Sequence, residues 1–183
     1  MVNVIEGESL EPHVLEYDVC LVGTNLYCQM SNGFEYFIRR RFKFVFCRNL
    51  ETKYGDMEKL GTIVESSDPM YPTLFVLCFI CVGYNFRPDV HSEYIRYEAL
   101  EACLKLVNAK YKGKKIAATV MGSQIFDGNG NKERILDIFR QCLQDVDIDL
   151  YDYEQVNRHH PERSERKNFP RPKKTKEKEE KEQ

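Results

Sequence analysis

The sequence contains no apolar run long enough to cross a lipid bilayer. Its longest one, TLFVLCFICVG at 73–83, is far shorter than the roughly 20 residues that a transmembrane helix needs. The opening segment MVNVIEGESLEP also lacks the basic region followed by a long apolar region that marks a secretory signal. These absences predict an intracellular protein that is not inserted in a membrane. We expect a cytoplasmic location, and the sequence does not exclude a nuclear one.

The body of the chain lacks an excess of positive charge. The whole sequence has 27 Lys and Arg residues and 29 Asp and Glu residues. The segment 156–183 contains 10 of the basic residues and 6 of the acidic ones. The body therefore retains 17 basic and 23 acidic residues, whereas a dedicated nucleic-acid-binding domain normally carries a basic face. The segment 156–183 also has almost no large apolar residues, which predicts a disordered charged tail. Such a tail is compatible with a protein partner.

Seven cysteines are present, and their odd number in a chain without an export signal predicts buried thiols in a reducing compartment. Cys78 and Cys81 have the spacing of a zinc ribbon, but they lie within a predicted strand. Residues three apart in a strand face opposite sides of the sheet, and no second pair follows at a useful spacing. We therefore expect no metal site and no cofactor.

Apolar strands alternate with amphipathic helices along the first 155 residues. The stretch 41–46 (RFKFVF) is ambiguous, because it alternates like a strand but directly follows a predicted helix without a breaker. This alternation predicts an α/β fold, a three-layer α/β/α domain at 1–155 followed by the tail at 156–183. The predicted strands are 2–7, 17–23, 61–66, 73–82, 114–122 and 147–153, and the predicted helices are 34–41, 94–111 and 131–146.

Two loops that follow predicted strands are polar and contain glycine. They are GTNLYCQMSNG at 23–33 and MGSQIFDGNGNKE at 121–133. Ligands of open α/β sheets bind in the crevice beyond the carboxyl ends of the strands. The two loops are therefore the candidates for one shared binding site.

Five segments, read in order, resemble the macrodomains, especially the stand-alone branch that includes ADP-ribose-1″-phosphate phosphatases. The resemblance covers about 150 of the 183 residues and implies a central mixed sheet. It implies an ADP-ribose-type nucleotide as the ligand, and a hydrolase of ADP-ribose-1″-phosphate or of an ADP-ribosyl bond if the protein is an enzyme. The segments are NVIEGES, DVCLVGTNLYCQMSNGFEYFIRRRF, TKYGDMEKLGT, GYNFRPDVHSEYIRYEALEACL and KGKKIAATVMGSQIFDGNGNKERILDIF.

The resemblance also assigns roles to individual residues. It implies that Asn25 bonds the distal ribose and that Glu8, which follows Gly7, reads the adenine amino group where macrodomains commonly have aspartate. Two loops would hold the phosphates with bare backbone N–H groups. Their residues here are Ser31, Asn32 and Gly33 in the first loop and Gly122, Ser123, Gln124, Ile125, Phe126 and Asp127 in the second.

Several of these residues depart from the macrodomain pattern. Gln124 and Asp127 stand where glycines are expected, and Asp127 places a like charge near a diphosphate. A pair of like charges a few ångströms apart costs about 1–4 kcal/mol. The site is therefore weakened, retuned to another derivative, or lost. In the last case the domain is a degenerate macrodomain that acts as a binding or protein-interaction scaffold without turnover.

Bland interpretations of the same residues remain open. Asn25 fits a helix cap or a turn as well as a ligand contact, and Asp127 fits a plain turn. Phe126 fits either a pocket wall or the core. Asn25 and His91 are the two catalytic candidates, with His91 transferring a proton. A structural or surface histidine fits the sequence around His91 as well.

Overall fold

The computed structural model describes residues 1–83, 92–124 and 127–153, and a six-stranded sheet runs through them. Each predicted strand is present. Within the described residues the sheet order is β1-β6-β5-β2-β4-β3, and the β3–β4 pair is antiparallel while the other four pairs are parallel. The strands are β1 (Val2–Glu6), β2 (Val19–Asn25), β3 (Ile63–Ser66), β4 (Leu74–Cys81), β5 (Lys115–Thr119) and β6 (Asp147–Asp152).

Within the described residues, four α-helices cover the two faces of this sheet. They are α1 (Gly33–Arg41), α2 (Lys43–Leu50), α3 (Tyr97–Lys110) and α4 (Lys132–Cys142). Two 3-10 helices, Glu11–Glu16 and Met57–Lys59, have no counterpart in the sequence prediction. None of the helices in the described part of the chain combines the length and the apolar character that crossing a membrane requires.

The hydrophobic core is divided by the sheet into two clusters. One cluster joins α3 and α4 to the sheet residues Leu21, Val76 and Ile116. The other joins α1, α2 and the first 3-10 helix to the opposite face, through residues such as Cys20 and Phe75. The predicted three-layer α/β/α architecture with a mixed sheet is confirmed.

The ambiguous stretch after α1 forms helix α2. Phe42 separates the two helices, with a φ of −124° and a ψ of 72° that belong to neither. Its ring packs on Phe75 at a centroid distance of 4.7 Å and against Tyr71 at 5.2 Å. Phe42, Val45 and Asn49 are all buried, and their spacing of three and four residues fits one face of a helix.

The cysteines differ from the prediction in two respects. The β2–β4 ladder pairs Thr24 with Phe79 and Asn25 with Cys81, so Ile80 is an extra residue at this point. This β-bulge changes the alternation, and Cys78 and Cys81 lie in the same hydrophobic cluster rather than on opposite faces. All seven cysteines are free thiols, and Cys47 is exposed whereas the other six are buried.

The boundary at residue 155 and the disordered tail at 156–183 lie outside the described residues, and both stay predictions.

Candidate functional site

A cleft lies at the carboxyl edge of the sheet, between the two loops that the sequence indicated. It consists of two adjoining depressions of about 500 and 270 Å³, both including space that is open to solvent. Segments that follow β1, β2, β5 and β6 line the first depression, through residues such as Ser9 and Tyr153. Thr24, Asn25 and the segment after β4 line the second. The crevice is where ligands of such sheets bind.

The first loop brings Asn25 and Gly33 to the cleft. Asn25 is 8% exposed, and its Oδ1 accepts a hydrogen bond of 2.8 Å from the Tyr27 N–H, so it also stabilises the turn. Gly33 has a φ of +52° at the start of α1, a conformation that favours glycine. Ser31 and Asn32 are half-buried and do not line either depression.

A buried lysine holds the first loop in place through hydrogen bonds. Lys59 belongs to the TKYGDMEKLG segment, and its Nζ donates hydrogen bonds to the Leu26 carbonyl (3.0 Å) and the Thr52 hydroxyl (2.9 Å). The Cys28 Sγ lies 3.4 Å from the same Nζ. Cys28 and Met30 have φ values of +54° and +45°, which non-glycine residues rarely adopt. The lysine thus stabilises a loop whose backbone would otherwise be unfavourable.

The second loop closes on itself around a carboxylate. The Gly122 N–H donates a hydrogen bond of 2.7 Å to Asp127 Oδ2, and Gly122 has a φ of +80°. A Cβ on Gly128 would lie 2.8 Å from the Gly122 carbonyl oxygen, so the loop has no room for a side chain there. The Gln124 Nε2 donates to the Tyr153 carbonyl at 2.8 Å, and the Ser123 hydroxyl donates to the Val120 carbonyl at 2.7 Å.

Two tyrosines of the YIRYEAL segment support this second loop. The Tyr94 N–H donates to the Gly128 carbonyl at 2.7 Å, and its ring packs against Gly83. The Tyr97 hydroxyl accepts from the Asn131 N–H at 2.9 Å and donates to Glu93 Oε1 at 3.0 Å. The YIRYEAL segment therefore holds the shape of the cleft wall.

Other predicted site residues are placed less directly. Gly7 directly follows β1 and has a φ of +77°, and its N–H donates to the Asp152 carbonyl at 3.0 Å. Glu8 is exposed and does not line the cleft, whereas its neighbour Ser9 does. The predictions for His91, Ile125 and Phe126 fall outside the described residues.

Sequence reasoning missed Glu35, which lies in the first turn of α1 and lines both depressions together with Asp127. Burial in the cleft raises the pKa of the Glu35 carboxyl well above its ordinary value, and the Asp127 charge raises it further, while the Thr24 hydroxyl beside it opposes the shift. Burial also raises the pKa of Asp127 to about 7, and the hydrogen bond from Gly122 opposes that shift. In the amphipathic pattern Glu35 looks like a solvent-facing residue, so no sequence signal marks it.

The described lining of the cleft contains two acidic side chains and no basic one. Neither Glu35 nor Asp127 has an ion-pair partner among the described residues, and no Lys, Arg or His is among the described residues that line the two depressions. Carboxyl groups in such a place can accept a cation when ionised, or donate a hydrogen bond when protonated.

No protein-family model and no curated protein matches this sequence. Solved structures do match. A protein of unknown function from Bacteroides thetaiotaomicron has a TM-score of 0.67 and 16% identity, over 83% of this chain and 98% of that chain. A macrodomain protein from Streptomyces coelicolor has a TM-score of 0.61 and 13% identity, over 84% of this chain and 100% of that one.

Thermosipho africanus DarTG, solved in complex with ADP-ribose, has a TM-score of 0.56 and 14% identity, over 76% of this chain and 39% of that one. Identities this low establish a common fold alone. The chain has the α/β fold of the macrodomain structures that it matches, as the resemblance predicted.

Proposed function

We propose that the cleft binds ADP-ribose or a closely related nucleotide derivative. The observation that carries this proposal is the place of the cleft, at the carboxyl edge of a macrodomain-like sheet between the loops 23–33 and 121–133. DarTG, which has the same fold, was solved in complex with ADP-ribose.

The proposed roles are those that the resemblance to macrodomains implies. Asn25, buried in the second depression, orients the distal ribose. The backbone at Gly33 and Gly122, where positive φ values exclude most side chains, approaches the diphosphate. Glu8, exposed beside the lining residue Ser9, reads the adenine amino group.

Asp127 lowers the affinity of this cleft for the diphosphate of ADP-ribose when no cation offsets its charge. Its carboxylate accepts the Gly122 N–H, a donor that a phosphate oxygen would otherwise use. A bound diphosphate therefore displaces this contact or tolerates the like charge beside it. We expect a lower affinity for ADP-ribose than a glycine at this position would allow.

Calorimetric titration of the full chain with ADP-ribose tests the proposal, with Asn25→Ala and Asn25→Ser alongside the parent. Serine can replace the turn-stabilising oxygen but not the amide donor. We expect both variants to melt cooperatively and to lose at least about tenfold in affinity, which is about 1.4 kcal/mol. Wild-type affinity in Asn25→Ser would mean that Asn25 only shapes the turn. No binding by the folded parent protein would overturn the proposed function.

Turnover is a second candidate, because the macrodomain-like branch that the sequence resembles includes phosphatases. The candidate substrates are ADP-ribose-1″-phosphate and proteins carrying an ADP-ribosyl bond, assayed by release of phosphate or of ADP-ribose. Binding of the nucleotide without release of phosphate or of ADP-ribose would indicate a binding protein without enzymatic activity. Neither binding nor release would favour the scaffold alternative.

A further inference from the structure

We propose that the surface where α1 meets α2 binds single-stranded nucleic acid. Its positive charges are those of Arg40, Arg41 and Lys43, and we call this surface the basic junction. It is separate from the cleft, so the inference does not depend on the proposed function. It departs from the sequence-based expectation that an acidic body lacks a nucleic-acid-binding face.

The first observation is the segregation of charge along the chain. The segment 39–48 (RRRFKFVFCR) has five basic residues and no acidic one, whereas the remainder of the body, residues 1–155, has 12 basic and 23 acidic residues. The net charge of the body outside this segment therefore repels a polyanion, and the segment attracts it. This difference directs a polyanion to one surface of the protein.

The second observation is that the charges of the basic junction are exposed and not neutralised. Arg40, Arg41 and Lys43 are all exposed, and none of them has an Asp or Glu partner among the described residues. In the other basic cluster of the chain, at 110–115, two of the four lysines are paired with carboxylates. The three charges of the junction are therefore available to an external anion.

The packing of the junction holds these charges close together. Phe42, which separates the two helices, is 2% exposed, and the Cα atoms of Arg40 and Lys43 are at most about 11 Å apart. The Arg39 guanidinium lies 4.3 Å from the centroid of the Phe46 ring, and its Nη1 donates to the Gln29 carbonyl at 3.0 Å. The junction is therefore an ordered part of the fold and not an unstructured charged run.

Aromatic rings beside the arginines favour a nucleic acid over an acidic peptide. Tyr36, Phe37, Phe44 and Phe46 are only half-buried, and the Arg40 guanidinium lies 5.9 Å from the centroid of the Tyr36 ring. Guanidinium groups bind phosphates, and unpaired bases stack on aromatic rings and on guanidinium planes. An acidic peptide would supply charge but no bases to stack.

The basic junction does not overlap the cleft. The first residues of α1, Gly33, Phe34 and Glu35, line the first depression, whereas the junction begins at the other end of this helix. At about 1.5 Å per residue, the two ends of α1 are about 12 Å apart. We therefore expect the nucleic acid and ADP-ribose to bind independently.

The test measures the binding of the full chain to fluorescein-labelled oligothymidylate of about 16 nucleotides by fluorescence anisotropy. We expect a Kd of about 1–100 μM at physiological salt, as is usual for sequence-independent binding. The double variant Arg40→Gln/Arg41→Gln should bind at least about tenfold more weakly. Its plot of log K against log salt concentration should be less steep by about 1.4, or about 0.7 for each lost phosphate contact.

The matched control is the double variant Lys112→Gln/Lys114→Gln. It removes the same net charge from two exposed positions in the segment between α3 and β5, away from the junction. We expect it to bind oligothymidylate as the parent does. Thermal unfolding confirms that both double variants are folded.

Cys47 provides a local readout that needs no substitution. It lies in α2, one turn after Lys43, and it is the exposed one of the seven free cysteines. A thiol-reactive maleimide should therefore label Cys47 first in the native protein. Oligothymidylate bound at the junction should slow this labelling in proportion to the bound fraction.

The outcomes separate this inference from the proposed function. Absence of oligothymidylate binding by the folded parent would overturn the inference, and unchanged binding by the arginine variant would assign the contacts to basic residues elsewhere, such as those of 156–183. Equal protection of Cys47 by polyglutamate of the same charge would indicate an acidic protein partner and would refute a nucleic-acid surface. The affinity for ADP-ribose should be the same in the arginine variant and in the parent, so the two proposals stand or fail separately.

Discussion

Removing the charge of Asp127 should strengthen ADP-ribose binding in metal-free buffer. The isosteric variant Asp127→Asn keeps an oxygen that can accept the Gly122 N–H, so the second loop should keep its shape. At about pH 8 the Asp127 carboxyl, with a pKa of about 7, is mostly ionised and repels a diphosphate.

The magnitude follows from the charge that is removed. Two unit charges about 4 Å apart repel by about 1 kcal/mol in water and about 4 kcal/mol at the effective dielectric constant near a protein surface. Asp127 is half-buried, so the gain should fall between these limits, or about 5- to 1000-fold in affinity. Because the residue also faces solvent, we expect the lower part of this range.

Calorimetric titration with ADP-ribose in EDTA measures the gain, with Asp18→Asn as the control, because Asp18 also accepts a backbone N–H, from Lys115 at 2.9 Å, away from the cleft. Weaker or unchanged binding by a folded Asp127→Asn would refute the repulsion argument and would indicate that the carboxylate contacts the nucleotide favourably.

Three further predictions concern stability, measured by urea unfolding. Lys59→Met should cost about 1.5–3 kcal/mol, because hydrogen bonds from a buried charge are lost, whereas Lys53→Met, whose side chain is 80% exposed, should change little. An equal effect of the two lysine variants would contradict the role given to the buried one. Gly128→Ala should cost more than Gly113→Ala, for which strain from a φ of +73° alone predicts about 1–2 kcal/mol, because only the former meets neighbouring backbone. Similar costs would show that the second loop tolerates a side chain. Hydrogen bonds from a tyrosine and a lysine lower the pKa of Glu65, so its stabilisation is present at neutral pH and is lost as the pH falls through that lowered pKa. Glu65→Gln should therefore cost up to about 1 kcal/mol at neutral pH and almost nothing near pH 3, and a constant difference would refute the assignment.

The strands and most helices were predictable because the spacing of apolar residues along the sequence reflects which of their faces are buried. The continuous apolar runs at β2 and β4 reflect burial on both faces of the sheet, and the spacing of Phe34, Phe37 and Ile38 reflects one buried helix face. Helix α2 was not predictable in this way. Its FKFVF pattern fits a strand and a helix equally, and contacts with aromatic residues distant in sequence decide between them.

Parts of the candidate cleft were predictable through the resemblance to macrodomains. The resemblance indicated Asn25, Gly33 and the second loop, and the structure brings these to one cleft. Glu35 and Lys59 could not be found from sequence, because each is an ordinary charged residue whose burial depends on neighbours from other segments. The β-bulge at Ile80 could not be predicted from sequence either, since it arises from the pairing of two strands.

The pairing of β1 with β6 has a consequence for how the protein folds. Asn3 and Asp149, which share a hydrogen bond of 2.9 Å, are separated by 146 positions, and four of the five strand pairings among the described residues are parallel. Such non-local pairing slows folding, because distant segments must meet before their contacts contribute. One wall of the cleft includes Tyr153, so a nascent chain cannot form the complete cleft until β6 has left the ribosome. We therefore expect the cleft to form last, together with β6.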